Sequence, residues 1–368
     1  MKSCIILSSF LLSLFCTDQN MPGSQTERFS EKYAKSISED RKSQNVRIVF
    51  YNVENLYDPY DDSTKMDEEF TVSGSKHWTY GRFQVKLNHL SKTLLAIGEY
   101  EPPAIVGLCE VENRYVLNKL IFQTPIKKFK YKMIHNDSPD LRGVDVALLY
   151  RPEKFFLLSW KCIRVSFPFD LSAQTREILM VKGRVFESDT IILFVNHWPS
   201  RRGGHLESQP RRNIVAGLLR SAIDSVIRTD SQPNIIIMGD FNDEPDKISL
   251  SQVLGARPHT GDSNPGELIN LMYSKKNRWN EGTIKYQGQW SIFDQFIVSG
   301  NLVRTVGRTQ FMYAEAYIFK DDFLLEKDDR HIGEKLKRTY AGPRYLGGFS
   351  DHLPIYLDLK RNSEIVKW

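Results

Sequence analysis

Seven short stretches of this chain are apolar on both of the faces a strand would present: "VRIVFYNV", "AIVGLCEVE", "VDVALLYR", "TIILFVNHW", "NIIIMGDFN", "FDQFIVS" and "LPIYLDL". β-Branched runs of this length read as strands, and strands this apolar have to be covered on both sides. Between them lie segments that are apolar on one side only. Phe83, Leu87, Leu90, Leu94 and Leu95 recur at helical spacing over 81–98, as do Ile214, Leu218, Ala222 and Ile223 over 210–228. The pattern predicts a layered α/β architecture: one strand set from each half of the chain, stacked face to face, with helices outside.

With 368 residues, 41% of them hydrophobic and 26% charged, the chain is globular and long enough for one large α/β domain. Its formal net charge of +5 only mildly favours anionic partners. Lys2 is followed closely by "CIILSSFLLSLF", which has the length of a signal-peptide core and is too short to span a bilayer. Residues 1–16 are therefore expected to be a signal peptide and the protein to be exported. Cys16 is a possible lipid-anchor position, although Phe15 is a poor small-residue cleavage site, so plain secretion is the other reading. Residues 17–45 are polar and lack an apolar stripe, as in a tether, and the domain proper is expected over 46–362. No other stretch is apolar enough for a membrane span, and a monomer is expected. Beyond the leader the thiols are Cys109 and Cys162, too few for a disulfide framework and best read as core residues. The acidic and aromatic segment 57–80 reads as a solvated surface loop, with cation binding as the lesser alternative.

One apolar strand after another ends in a residue that chemistry can use. These ends deliver Asn52, Glu110, Asn196 with His197, Asp240 with Asn242, Asp294, and Asp351 with His352. Taken singly, each has a structural reading: the asparagines as turn or cap residues, the aspartates as turn starters, His197 as a satisfied core histidine. Glu110 is harder to explain that way, because a carboxylate closing a strand as apolar as "AIVGL" needs a metal or a cation as partner. Their joint occurrence at strand ends, in a chain with eight histidines, favours one assembled site.

The set matches phosphoester hydrolysis, which needs an attacking water and relief of the charge that builds on the phosphoryl oxygens. Glu110 and Asp351 are the oxygen ligands expected to hold a hard cation, Mg²⁺ or Mn²⁺ rather than zinc. Asp240 is suited to activating the water and Asn242 to fixing its geometry. His197 and His352 can donate to phosphate oxygens, with Asp294 holding the His352 ring and keeping it protonated. No G-x-S-x-G elbow and no activated cysteine is present.

In this order, "FYNVENL", "GLCEVEN", "FVNHW", "MGDFND", "SIFDQFIVS" and "FSDHLPI" resemble the endonuclease/exonuclease/phosphatase superfamily, over roughly residues 46–360. The resemblance implies a four-layer α/β sandwich of two packed mixed sheets flanked by helices, and metal-dependent phosphoester hydrolysis. It also implies roles. Asn52 matches the asparagine that positions phosphate and water, Glu110 the metal ligand, and His197 the first active-site histidine. Asp240 and Asn242 match the water-activating pair, Asp294 the carboxylate partner of the last histidine, and Asp351 with His352 the closing pair. "NHWPSRRGG" is more like a bacterial exported subgroup than the DNA-repair or inositol-phosphatase branches.

Arg142, just before "VDVALLY", and Arg201, Arg202, Arg211 and Arg212, beyond the His197 strand, are expected to favour an extended anionic ligand; Asn196 joins Arg142, Arg201 and Arg202 as candidate substrate contacts. Trp198 reads as a plug of the sheet edge rather than a base-stacking platform. Nucleic acid is the expected substrate. A small or lipid phosphoester is the alternative, kept open by the two tryptophans of "RWNEGTIKYQGQWSIFD" close to Asp294. A binding module without turnover is the third reading, and it leaves the full set of polar groups unexplained.

Overall fold

The computed structural model describes residues 45–361 apart from 100, 187, 262, 277 and 304–311. The expected signal peptide, Cys16, the tether as far as residue 44, and residue 362 lie outside the described residues. In the first half of the chain the strands are β1 (Asn45–Leu56), β2 (Ile105–Val111), β3 (Lys132–His135), β4 (Asp145–Tyr150), β5 (Phe156–Ile163) and β6 (Ile178–Val185). There follow β7 (Asp189–His197), β8 (Ile235–Asp240), β9 (Ala256–Pro258), β10 (Leu268–Asn270), β11 (Asp294–Ser299), β12 (Met312–Ile318) and β13 (Ile355–Arg361). The α-helices are α1 (Tyr80–Gly98), α2 (Arg114–Gln123) and α3 (His205–Thr229).

Two mixed sheets form, in the orders β12-β13-β1-β2-β4-β3 and β5-β6-β7-β8-β11-β10-β9. The expected division by halves therefore holds for β1 to β4 but fails for β5 and β6, which join the second sheet, and for β12 and β13, which join the first. β13 returns to pair antiparallel with β1, covering an edge that would otherwise expose an apolar strand to pairing with other molecules.

The period of two places the layers. Along β1, Ile48 and Phe50 enter the core between the sheets with Leu193, Ile236, Met238 and Phe296, whereas Val49 and Tyr51 face the outer layer with Phe83, Leu87 and Leu90 of α1. On the far side, Ile192, Phe194, Ile235 and Ile237 pack against Leu219 and Ile223 of α3. The order helix, sheet, sheet, helix is the four-layer sandwich. Cys109 belongs to the inter-sheet core and Cys162 packs against it.

Two local expectations need correction. α3 begins at His205, ahead of Pro210, because Arg212 bridges the first turns: its guanidinium donates to the Ser208 Oγ at 2.8 Å and to the His205 carbonyl at 3.1 Å. Segment 57–80 is not a free solvated loop. Tyr57, Phe70 and Trp78 are buried, Tyr57 stacks on Phe70 at 4.3 Å, and the Trp78 indole donates to the Tyr57 carbonyl. No helix among the described residues is long and apolar enough to cross a membrane.

Candidate active site

Register builds the site. His197 ending β7 and Asp294 opening β11 are both Cα partners of Asp240, the last residue of β8, so three polar groups stand in a row across one sheet. In the other sheet Asn52 is paired with Cys109, next to Glu110, just before a shift in register. His352 lies on the approach to β13 and bridges to Ile284. The backbone is held in the left-handed region at Glu54, Glu110 and Asn242, with φ of +50°, +61° and +50°. Non-glycine residues adopt this conformation only where the surroundings impose it, and such positions concentrate at functional sites.

Side chains then close the gap between the sheets. The Asn52 amide donates to Asp240 Oδ2 at 3.0 Å and reaches Glu110 Oε1 at 3.4 Å, while its own oxygen accepts from the Glu54 N–H. Asp240 Oδ1 accepts the Asn242 N–H at 2.9 Å. The same Oδ2 lies 3.7 Å from His197 Nε2 and 3.8 Å from His352 Nε2, and His352 Nδ1 is bonded to Asp294 Oδ2 at 2.6 Å. Asn52, Asp240, Asp294 and both histidines are buried.

Burial and neighbours divide these groups electrostatically. Burial pushes the Asp240 carboxyl up to about 6, with Asp294 adding to the rise and His352 opposing it. For His352, burial disfavours the charged ring, but Asp294 and then Asp240 outweigh it and hold the pKa well above the usual imidazole value. His197 goes the other way: burial, followed by Arg176 and Arg142, keeps it neutral. Two similar rings thus have different uses, a charged donor and a neutral one.

Sequence reading missed the groups around Asp351. Glu54 is buried, and its carboxylate accepts from the Thr339 N–H at 2.6 Å and from Arg338 Nε at 3.3 Å. Arg338 also donates to Asp351 Oδ2 at 2.9 Å, so one guanidinium serves both acids. Below them Lys86 of α1 is fully buried, bonded to Thr339 Oγ1 and the Phe349 carbonyl, and burial lowers its pKa to about 8. Burial and the Asp351 charge raise the Glu54 carboxyl. Glu54, Glu110 and Asp351 all act on Arg338 electrostatically. Glu54, Glu110 and Asp351 are oxygen donors of the kind a hard divalent ion takes, and Arg338 offsets part of their charge. Asp240, Asp294 and His352 also bring donor atoms within 4.8 Å of one another, as do His135, Asp137 and Asp145 near the ends of β3 and β4. The short Asp294–His352 bond marks the former pair as an oriented histidine.

The remaining expected contacts separate. Asn242 donates to the Trp198 carbonyl at 3.1 Å and stays at the site. Arg142 follows Asp140 in the loop before β4; its side chain is 43% exposed and its charge reaches both Glu110 and His197. Arg202 is exposed, with no ion pair among the described residues. Asn196 is a correction. It is fully buried, its NH₂ donates to the carbonyls of Phe194 and Met238, and its oxygen accepts from the Trp198 indole, which leaves nothing for a substrate. Arg201 is another: it donates to the Asn242 carbonyl and to Asp243, and so holds the loop after β8. Arg212, fully buried on Asp243, is likewise structural. Trp198 packs edge-on against Phe241, as expected of a plug.

Carboxylates, a charged and a neutral histidine, and an orienting asparagine at one end of two stacked sheets make a hydrolase of phosphoesters. The sequence model of the Endonuclease/Exonuclease/phosphatase family matches residues 47–361, and the chain belongs to that family. Enzymes of the family depend on divalent metals, and the acidic and histidine side chains above form a candidate metal site. Among solved structures, the human Nocturnin catalytic domain with bound sulfate is similar at 15% identity, over 86% of this chain and 95% of that one, with a TM-score of 0.52. An endonuclease/exonuclease/phosphatase family protein from Bacteroides thetaiotaomicron matches at 16% identity, over 87% and 96%, with a TM-score of 0.53. A mannosyl-6-phosphatase from the same organism matches at 15%, over 85% and 99%, with a TM-score of 0.52. At these identities the likeness establishes the fold. No curated protein matches the chain.

Proposed function

We propose that this protein is an exported, Mg²⁺- or Mn²⁺-dependent phosphodiesterase acting on DNA or RNA. The observation that carries the reaction is the reach of Asp240 Oδ2, with the Asn52 amide at 3.0 Å and the Nε2 atoms of His197 and His352 at 3.7 and 3.8 Å. Glu110 and Asp351, with Glu54 behind them, would hold the ion, which when bound supplies positive charge to the phosphoryl oxygens. Asp240 takes the proton of the attacking water, and a pKa of about 6 leaves it ionised at neutral pH yet basic enough to accept. Protonated His352, fixed by Asp294, donates to the phosphoryl group as charge develops, and neutral His197 donates beside it. Asn52 and Asn242 keep Asp240 from turning away.

Arg202, exposed and without an ion pair among the described residues, and Arg142, 43% exposed and only distantly paired with Asp140 at 3.8 Å, support an anionic, extended substrate. Export rests on the apolar run after Lys2 and is tested by fractionating cells that express the full chain. A second reading, a lipid phosphoester, is favoured by one observation. The hairpin of Ile284–Tyr286 and Gln289–Ser291 touches His352 through Ile284, and the same segment carries Trp279 and Tyr286, which are 89% and 72% exposed. The deciding assay sets plasmid DNA, RNA, sphingomyelin vesicles and phosphomonoesters side by side, with and without a chelator. Chelator-sensitive cleavage of DNA or RNA is expected. Turnover of sphingomyelin or monoesters alone would replace the nuclease reading.

A further inference from the structure

Beside the reaction centre, and separated from it by one loop, lies a cavity of about 450 Å³ that the mechanism does not use. The loop is residues 199–204. Arg201 ties one side of it to Asp243 and the Asn242 carbonyl, and Pro199 and Arg202 line the cavity on the other. The Trp198 carbonyl links the two, accepting from Asn242 Nδ2 at 3.1 Å and from Nη2 of the cavity's Arg176 at 2.9 Å. Arg176, whose side chain is 7% exposed, is a wall of the cavity; its Nη1 is paired with the buried Asp140 at 3.0 Å, and its Nε has no hydrogen-bond partner among the described residues. Two further guanidiniums line the wall. Arg202 has no counter-ion among the described residues, and Arg211 pairs with the half-exposed Asp170 while standing 5.6 Å from the centre of the Phe167 ring. Glu207 is the only carboxylate in the lining. Next to Arg211, Phe167 is buried and stacks at 5.9 Å on Phe169, which is 57% exposed.

We infer that this cavity is a subsite for one nucleotide of a single strand, flanking the bond that is cut. The inference rests on the nuclease reading above and extends it. Its volume is in the range that holds a nucleotide-sized ligand. Guanidiniums beside an exposed aromatic face are the means by which proteins hold a single-stranded residue, the phosphate on the cations and the base on the ring. A loop anchored to Asn242 on one side and lining the cavity on the other fixes the distance between this nucleotide and the scissile phosphate.

The test compares two substrates in the full chain. One is a short single-stranded oligonucleotide; the other is bis(p-nitrophenyl) phosphate, a diester with no flanking phosphate or base. Phe169→Ala and Arg211→Ala are each expected to lower kcat/KM on the oligonucleotide roughly tenfold more than on the small diester, mainly through KM. Phe169→Leu, which keeps the bulk but loses the ring face, serves if the alanine variant is poorly folded, and the same selective loss is expected. In an Asp240→Asn background, Arg211→Ala should also reduce the slope of log affinity for the oligonucleotide against log salt by about 0.7. Equal losses on both substrates, or an unchanged preference and salt slope, would overturn the subsite while leaving the nuclease reading intact. A wild-type protein that cleaves the small diester but no oligonucleotide would overturn the subsite and the nuclease reading together. If it cleaves neither, phosphodiester hydrolysis itself falls.

Discussion

Asp240 and Asp243 stand three residues apart, both are buried, and their surroundings are opposite. Asp243 accepts from Arg212 Nε at 2.7 Å, Arg201 Nη2 at 3.0 Å and Ser249 Oγ at 2.7 Å, with His205 Nε2 at 3.2 Å. Asp240 has one side-chain hydrogen bond, from a neutral amide, and two histidines just beyond bonding distance. A buried carboxylate clamped by two guanidiniums is part of the scaffold. One left short of cations, in a low-dielectric setting beside groups able to exchange protons, is poised for chemistry. The contrast also shows why arginines near a site are poor guides to substrate: two of those expected to grip a ligand are consumed by Asp243.

The contrast can be broken at either end. Asp240→Asn should lower kcat on the preferred substrate about 10⁴-fold, measured in steady state, and leave the melting temperature unchanged or raised, since it removes an incompletely compensated charge. Unimpaired turnover would remove the assigned base. Asp243→Ala should instead lower the unfolding free energy by about 4 kcal/mol in urea titration, because it strands the fully buried Arg212. A variant as stable as the parent would show that the clamp is dispensable.

Asp294→Asn sharpens the comparison through pH. Activity should rise with pH as Asp240 loses its proton near 6 and fall at alkaline pH as His352 loses the proton that Asp294 helps it keep. Removing the Asp294 charge lowers the His352 pKa, so the alkaline limb should move to lower pH, with kcat down about 10²-fold. A pH–rate profile checks both, and an alkaline limb that stays put would assign that limb to another group.

The sandwich and the strand-end groups were legible in the sequence, though the role of Asp243 was not, for reasons that also explain the errors. Strands apolar on both faces announce a sandwich, and polar residues at their ends announce where it opens. Asn196 was misread because consecutive strand residues point to opposite faces, so Asn196 and His197 cannot share one pocket. Lys86 left a readable trace, a lone cation on the apolar stripe of Phe83, Leu87, Leu90 and Leu94, and Arg212 left the same trace beside Val215, Ala216 and Leu219. Glu54 falls where left-handed backbone and a register shift break the period of two within β1, so alternation could not orient it. Arg338 comes from an irregular segment 284 residues away from Glu54 in the chain, and no local pattern reports a pairing at that distance. Segment 57–80 was misjudged on its charge, whereas its three buried aromatic rings, Tyr57, Phe70 and Trp78, decide its placement.

The Asn52 amide works as a calliper whose jaws rest on different sheets, Glu110 on one and Asp240 on the other. The interior beneath it is tight: a Cβ on Gly107 would meet Met238 Sδ at 2.9 Å and Phe50 at 3.3 Å. The thickness of the sandwich is therefore itself a setting of the enzyme. Loops around the rim can be lengthened or exchanged to suit a new ligand without disturbing that setting, whereas a methyl group added at Gly107 would have to be taken up by a shift of the Met238 side chain just beneath the jaws.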